Sequence, residues 1–130
     1  MAENENSALH GYFPPGELKY ARNIIYEFHD KLFLDDKISG INALLIALYM
    51  CSNKNKCSEV KYNVVKDLFV KLGRRKNDFK VYVHRAEKAG LIDKRKVNNE
   101  KILLSLKVKG LKTVKSLLGQ SLGAKTLLIE

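Results

Sequence analysis

The sequence predicts a mainly α-helical domain that carries one small β-hairpin. Three observations lead there. Apolar residues recur at spacings of three and four along most of the chain, the periodicity of helices with one buried face. One such stretch, residues 77–88, is basic on its other face and is closed by Gly90, a residue suited to ending helices. Two strand-like segments, residues 91–97 and 101–107, follow at once, with Asn98-Asn99 between them as a pair suited to a hairpin turn.

Residues 1–13 have no apolar period, and Pro14-Pro15-Gly16 interrupts any helix, so residues 1–16 are expected to be a flexible arm or a surface strap. The remainder, 17–130, is expected to be a single domain centred on about 38–108, with extra helices at both ends. Residues 17–34 predict a long helix. Leu18, Ala21, Ile25, Phe28 and Leu32 form its stripe, and Tyr20, Ile24 and Phe33 widen it. That width serves both an internal core and a second copy, which makes Leu18, Ile25, Phe28 and Leu32 candidates for a homodimer interface.

Asp35-Asp36-Lys37 breaks the pattern, and Ser39 is suited to cap the next helix. Residues 41–50, INALLIALYM, are apolar nearly all round and predict a central buried helix. After the polar loop 52–56, Ser58 is expected to cap a third helix with Val60, Val64, Leu68 and Leu72 on one face. Gly73-Arg74-Arg75-Lys76 forms a basic turn, and Asn77 is expected to cap a fourth helix that turns Phe79, Tyr82, Val83 and Ala86 inward. In the returning strand Ile102, Leu104 and Leu106 share a face and Leu103 points the other way. Gly110 separates this strand from a last helix, 111–118, with Leu111, Val114, Leu117 and Leu118 as its stripe. The tail 120–130 ends in Leu127-Leu128-Ile129, which could cap the core, cross to a partner, or be disordered.

At 130 residues and 45% hydrophobic content the chain is long enough for one core. The net charge of +10 is unevenly spread: residues 1–36 hold three Lys/Arg against seven Asp/Glu, a balance of −4, which leaves +14 on residues 37–130. So basic a domain attracts polyanions, nucleic acid first and anionic lipid next, against the plainer reading of a solvated lysine-rich surface. No apolar run is long enough to span a bilayer, and the acidic, polar start MAENENSALHGYFPPGE does not read as a signal, so a cytoplasmic protein without membrane contact is expected. Cys51 and Cys57 have no third cysteine and no nearby histidine, which argues against a metal site. No phosphate-cradling glycine loop and no nucleophile beside a base is present; neither an enzyme, a cofactor nor an identifiable small-molecule ligand is expected.

The run Ala86-Glu87-Lys88-Ala89-Gly90-Leu91-Ile92 is similar to the helix-to-wing junction of the winged helix-turn-helix family of DNA-binding domains, and the resemblance covers residues 38–108. The turn 73–76 is longer and more basic than is usual there. The resemblance implies that residues 77–88 enter the major groove and that the hairpin meets phosphate or the minor groove. With the inward stripe set aside, Asn77, Lys80, Val81, His84 and Arg85 are the expected base contacts; Arg85 suits bidentate contact with guanine and Val81 a thymine methyl. Arg74, Arg75, Lys76, Lys88, Lys94, Arg95 and Lys96 are the expected phosphate contacts, with strand alternation opposing Arg95 to Lys94 and Lys96. The expected function is sequence-specific binding of double-stranded DNA by a homodimeric transcriptional regulator. A plasmid or viral partition or replication-origin protein, a winged helix used for protein contact, and an RNA or nonspecific nucleic-acid binder are the alternatives.

Overall fold

A computed structural model gives the structure of residues 8–119. Residues 8–16 pack on the core instead of standing off as an arm: the 3-10 turn Ala8–Gly11 buries Leu9 completely, and Phe13 follows it inside. The Asn53 side-chain amide donates to the Tyr12 carbonyl at 2.9 Å and holds this strap down. A second 3-10 turn, Pro15–Glu17, leads into α1, the single helical turn Leu18–Ala21.

The long helix expected over residues 17–34 does not form. After α1 the chain makes an antiparallel hairpin of β1, Ile25–Phe28, and β2, Lys31–Leu34, in the register Ile25↔Leu34 and Phe28↔Lys31. His29 and Asp30 lie in the left-handed region at φ 52° and 65°, the pair of conformations that closes a tight two-residue hairpin. The β-branched and aromatic residues Ile25, Tyr26, Phe28 and Phe33 favour a pleated surface. Leu32 and Leu34 then point inward while Lys31 and Phe33 point out, a period of two that overrides the helical spacing.

Helix α2, Gly40–Asn55, opens as expected, with the Ser39 hydroxyl accepting the Asn42 N–H at 3.3 Å, and every residue from Ala43 to Cys51 is buried. It ends at Lys56, left-handed at φ 52°. Two residues, Val60–Lys61, form β3 and run directly into α3, Tyr62–Lys71, so Lys61 and not Ser58 takes the cap position. Because Val60 belongs to the strand, the inward face of α3 is Val65, Leu68 and Phe69, with Leu72 just beyond the helix, and Val64 is turned out. Helix α4, Lys76–Lys88, begins after Arg75, which places Asn77 inside the first turn and not at the cap. Its expected inward stripe is present: Phe79, Val83 and Ala86 are buried, and Tyr82 packs at the edge of the core. Phe79 meets Phe69 and Tyr62 edge-on at 5.2 and 5.0 Å between ring centroids. Tyr82 lies so close to Gly40 that a Cβ there would stand 2.1 Å from its ring.

Strands β4, Ile92–Asn98, and β5, Lys101–Leu106, pair antiparallel with a bulge between Lys96 and Asn98, and the turn falls at Asn99-Glu100, one residue later than expected. The Asn98 side-chain oxygen accepts the Glu100 N–H at 2.8 Å and stabilises that turn. On its other edge β5 pairs with β3, Val60↔Leu104 and Lys61↔Leu103, giving a three-stranded sheet in the order β3-β5-β4. Helix α5, Val108–Leu117, includes Gly110 in its first turn instead of starting after it. Val114 and Leu118 are buried and Leu111 is 39% exposed. The tail 120–130, including Leu127-Leu128-Ile129, lies outside the described residues, as do residues 1–7.

The architecture is therefore mixed α/β, with five α-helices and two small antiparallel sheets among the described residues, where a mainly α chain with one hairpin was expected. A single cluster of buried side chains extends from Leu9 to Leu118. Within it Glu17 is buried, receives the Tyr49 hydroxyl and the Lys115 ammonium, and so joins the strap, α2 and α5; Lys115 also donates to Tyr49 at 2.9 Å. No helix among the described residues is long and apolar enough to cross a membrane.

Candidate nucleic-acid interface

Burial of Phe79, Val83 and Ala86 fixes the roll of α4 about its axis, so Asn77, Lys80, Val81, His84, Arg85 and Lys88 are all solvent-exposed. The two carboxylates on this helix are both engaged. Asp78 accepts from Arg75 at 3.1 Å, and Glu87 lies 4.0 Å from Lys94. Among the described residues Lys80, His84 and Lys88 have no carboxylate partner, and the Arg85 guanidinium stands 5.9 Å from the Tyr82 ring centre, a spacing at which the ring face attracts the cation. The outer side of α4 is thus a basic strip with one apolar position, Val81, 46% exposed.

The cations flanking the helix divide by task. Arg74 was expected on phosphate, but its guanidinium turns inward and donates to the carbonyls of Ile38 at 2.9 Å and Asp35 at 2.8 Å. It fastens the basic turn to the segment between β2 and α2. Arg75 and Lys76 remain at the surface. On β4, Arg95 makes a bidentate pair with Glu59 at 2.8 and 2.7 Å, which commits it to the loop before β3 and holds the Glu59 carboxyl below its ordinary pKa. The expected phosphate role of Arg95 is therefore met by an internal carboxylate instead. Strand alternation sends Lys94 and Lys96 to the opposite face, and the approach of Lys94 to Glu87 shows that this is the α4 side.

No family model, curated protein or solved structure matches this chain. What the surface can do rests on its own geometry.

Of the residues named for a dimer interface, Leu18, Ile25 and Leu32 are 8%, 1% and 8% exposed inside the chain's own core, and only Phe28, at 64%, is accessible. A helix-borne dimer face is absent because the helix is absent. Tyr26 and Phe33, which face each other across the β1–β2 hairpin, are also exposed. One residue and one groove escaped sequence reading. Glu59 positions the β4–β5 hairpin through Arg95, a partnership no spacing could announce across 36 residues. Asn63, Lys66 and Lys71 line a groove of about 610 Å³ that runs to Lys76 at the start of α4. The signal was the polar face of α3, obscured by counting Val60 and Val64 into an inward stripe of which Leu68 and Leu72 are members. Cys51 and Cys57 are free thiols, Cys51 with its pKa pushed up to about 12 by burial and Cys57 exposed.

Proposed function

We propose that the protein binds double-stranded DNA in a sequence-specific manner as a winged helix-turn-helix, with α4 in the major groove and the β4–β5 hairpin as the wing, in the manner of a homodimeric regulator. The observation that carries this reading is the outer strip of α4, where Lys80, Val81, His84, Arg85 and Lys88 face solvent while both carboxylates of the helix are engaged elsewhere. The order of α2, α3 and α4, followed by a hairpin whose first strand turns Lys94 and Lys96 to the α4 side, supports it. Lys80, His84, Arg85 and Asn77 read base edges, Val81 meets a methyl group, and Arg75, Lys76, Lys88, Lys94 and Lys96 meet phosphate.

Selection from a random duplex library, followed by titration of the recovered site and of random duplex at several salt concentrations, tests it. A preferred site, bound at least about a thousandfold more tightly than random sequence, is the expected result. Equal affinity for both, or Arg85→Ala and Lys80→Ala variants with unchanged affinity and preference, would refute it. A palindromic site and a dimer by sedimentation are expected together; a clean monomer on a single half-site removes the two-fold part of the proposal.

A further inference from the structure

Between the N-terminal strap, β2, the end of α2 and α3 lies a cleft of about 500 Å³, inside the range of roughly 300–1,000 Å³ typical of small-molecule sites. Its walls are Tyr12, Leu32, Phe33 and Leu68. Lys31, Lys54 and Lys71 come to the same cleft from three different elements, against Asp30 as the one carboxylate lining it. Among the described residues none of the three lysines has an ion-pair partner, and Lys54 lies 4.6 Å from the Tyr12 ring centre. A smaller adjoining hollow of about 220 Å³ shares Tyr12, Lys54, Leu68 and Lys71 and extends the floor toward Val64.

We infer that this cleft binds a small organic anion with an apolar body, an aromatic or medium-chain monocarboxylate. The chemistry of the lining selects that class. A cation would meet three ammonium groups, a polyphosphate would leave the Tyr12–Leu68 walls uncovered, and a neutral hydrocarbon would gain nothing from the lysines. A monocarboxylate places its apolar body between Tyr12, Phe33 and Leu68 and its charge among Lys31, Lys54 and Lys71. The strap is part of the site, since Ala8 stands at its lip and Tyr12 forms its wall. The site is independent of the nucleic-acid reading, so binding is measured directly and without DNA.

Octanoate and cinnamate are titrated into the full chain, with octanamide and cinnamamide as uncharged counterparts, following backbone amide chemical shifts by NMR and heat by calorimetry. At least one acid is expected to shift Tyr12, Phe33, Lys54 and Leu68 saturably, and its amide to bind about tenfold more weakly. Lys54→Gln, an exposed substitution, should weaken the acid by about tenfold and leave the amide nearly unchanged. Lys54 is chosen because Lys71 also lines the groove beside α4. Ala8→Trp, which sets a large ring at an exposed lip, should abolish binding of both while leaving thermal unfolding unchanged. The inference is overturned if neither acid produces saturable shifts, if the shifts fall elsewhere on the molecule, if acid and amide bind alike, or if Lys54→Gln has no effect.

Discussion

Arg74 and Arg95 both read as phosphate anchors in the sequence, and each guanidinium is occupied within the chain. Their tasks differ. Arg74 donates to two carbonyls in a half-buried position, of which Asp35 keeps the Ile38 N–H and Ile38 loses its guanidinium donor, so Arg74→Ala should cost about 1–3 kcal/mol, read as a lowered urea midpoint. A midpoint equal to that of the parent would show that water replaces the guanidinium fully. Arg95 lies at the surface, and there the contrast is electrostatic. If the β4–β5 hairpin meets phosphate, Lys96→Ala should lower the slope of log affinity against log salt by about one, whereas Arg95→Ala should leave it nearly unchanged. Equal effects of the two substitutions would mean that Arg95 exchanges Glu59 for phosphate on binding.

Among the elements, the two hairpins behaved differently under sequence reasoning. The one formed by β4 and β5 was legible because polar Asn98-Asn99 separates two segments that carry no competing helical period, and only its turn moved by one residue. The one formed by β1 and β2 was not. Leu18, Ala21, Ile25, Phe28 and Leu32 satisfy helical spacing, and His29-Asp30 lacks the glycine that would announce a turn of that type. Tertiary burial of Ile25, Leu32 and Leu34 settles the competition, and that information is not local. Strand β3 is too short to have a period at all. The outer strip of α4 was readable because it is the complement of a clear inward stripe; the Arg95–Glu59 ion pair and the Arg74 hydrogen bonds that thin the expected cation set depend on contacts remote in sequence. Helix α5 supplies the prediction proper to this scale. Alanine is favoured over glycine inside a helix by about 1 kcal/mol, yet a Cβ at Gly110 would stand 2.2 Å from the Leu91 carbonyl oxygen. Gly110→Ala should therefore destabilise, by about 1–3 kcal/mol in chemical denaturation, because backbone atoms cannot step aside cheaply. A more stable variant would mean that α5 can slide away from Leu91 without loss.

For the molecule as a whole, the joined group of Glu17, Tyr49 and Lys115 sets a pH response. Burial raises the Tyr49 pKa, and the bond to Glu17 adds to it. For Lys115 burial opposes the charged form, but the hydrogen bonds to Glu17 and Tyr49 outweigh it and the pKa is raised. Both shifts act in one direction: their contribution is fully present below the ordinary tyrosine and lysine values of about 10, and is lost as pH rises through the elevated values of the folded state. Stability should fall above pH about 10, and Lys115→Met should show a flatter fall together with a deficit at neutral pH on the order of 1–2 kcal/mol, reduced because Lys115 is partly in solvent. Parallel pH profiles for the two proteins would sever the group from the response.

That same contact has a consequence for synthesis. Glu17 and Lys115 are 98 residues apart, so the ammonium that meets the buried carboxylate is made long after it. Until α5 emerges, the strap and α2 meet around Glu17 without the Lys115 ammonium that the finished group holds beside the Tyr49 hydroxyl. The segment around Glu17 is therefore expected to settle only once α5 has been made, and a nascent chain stalled before Lys115 should leave that region open to protease while the sequence from α2 to β5 is already protected.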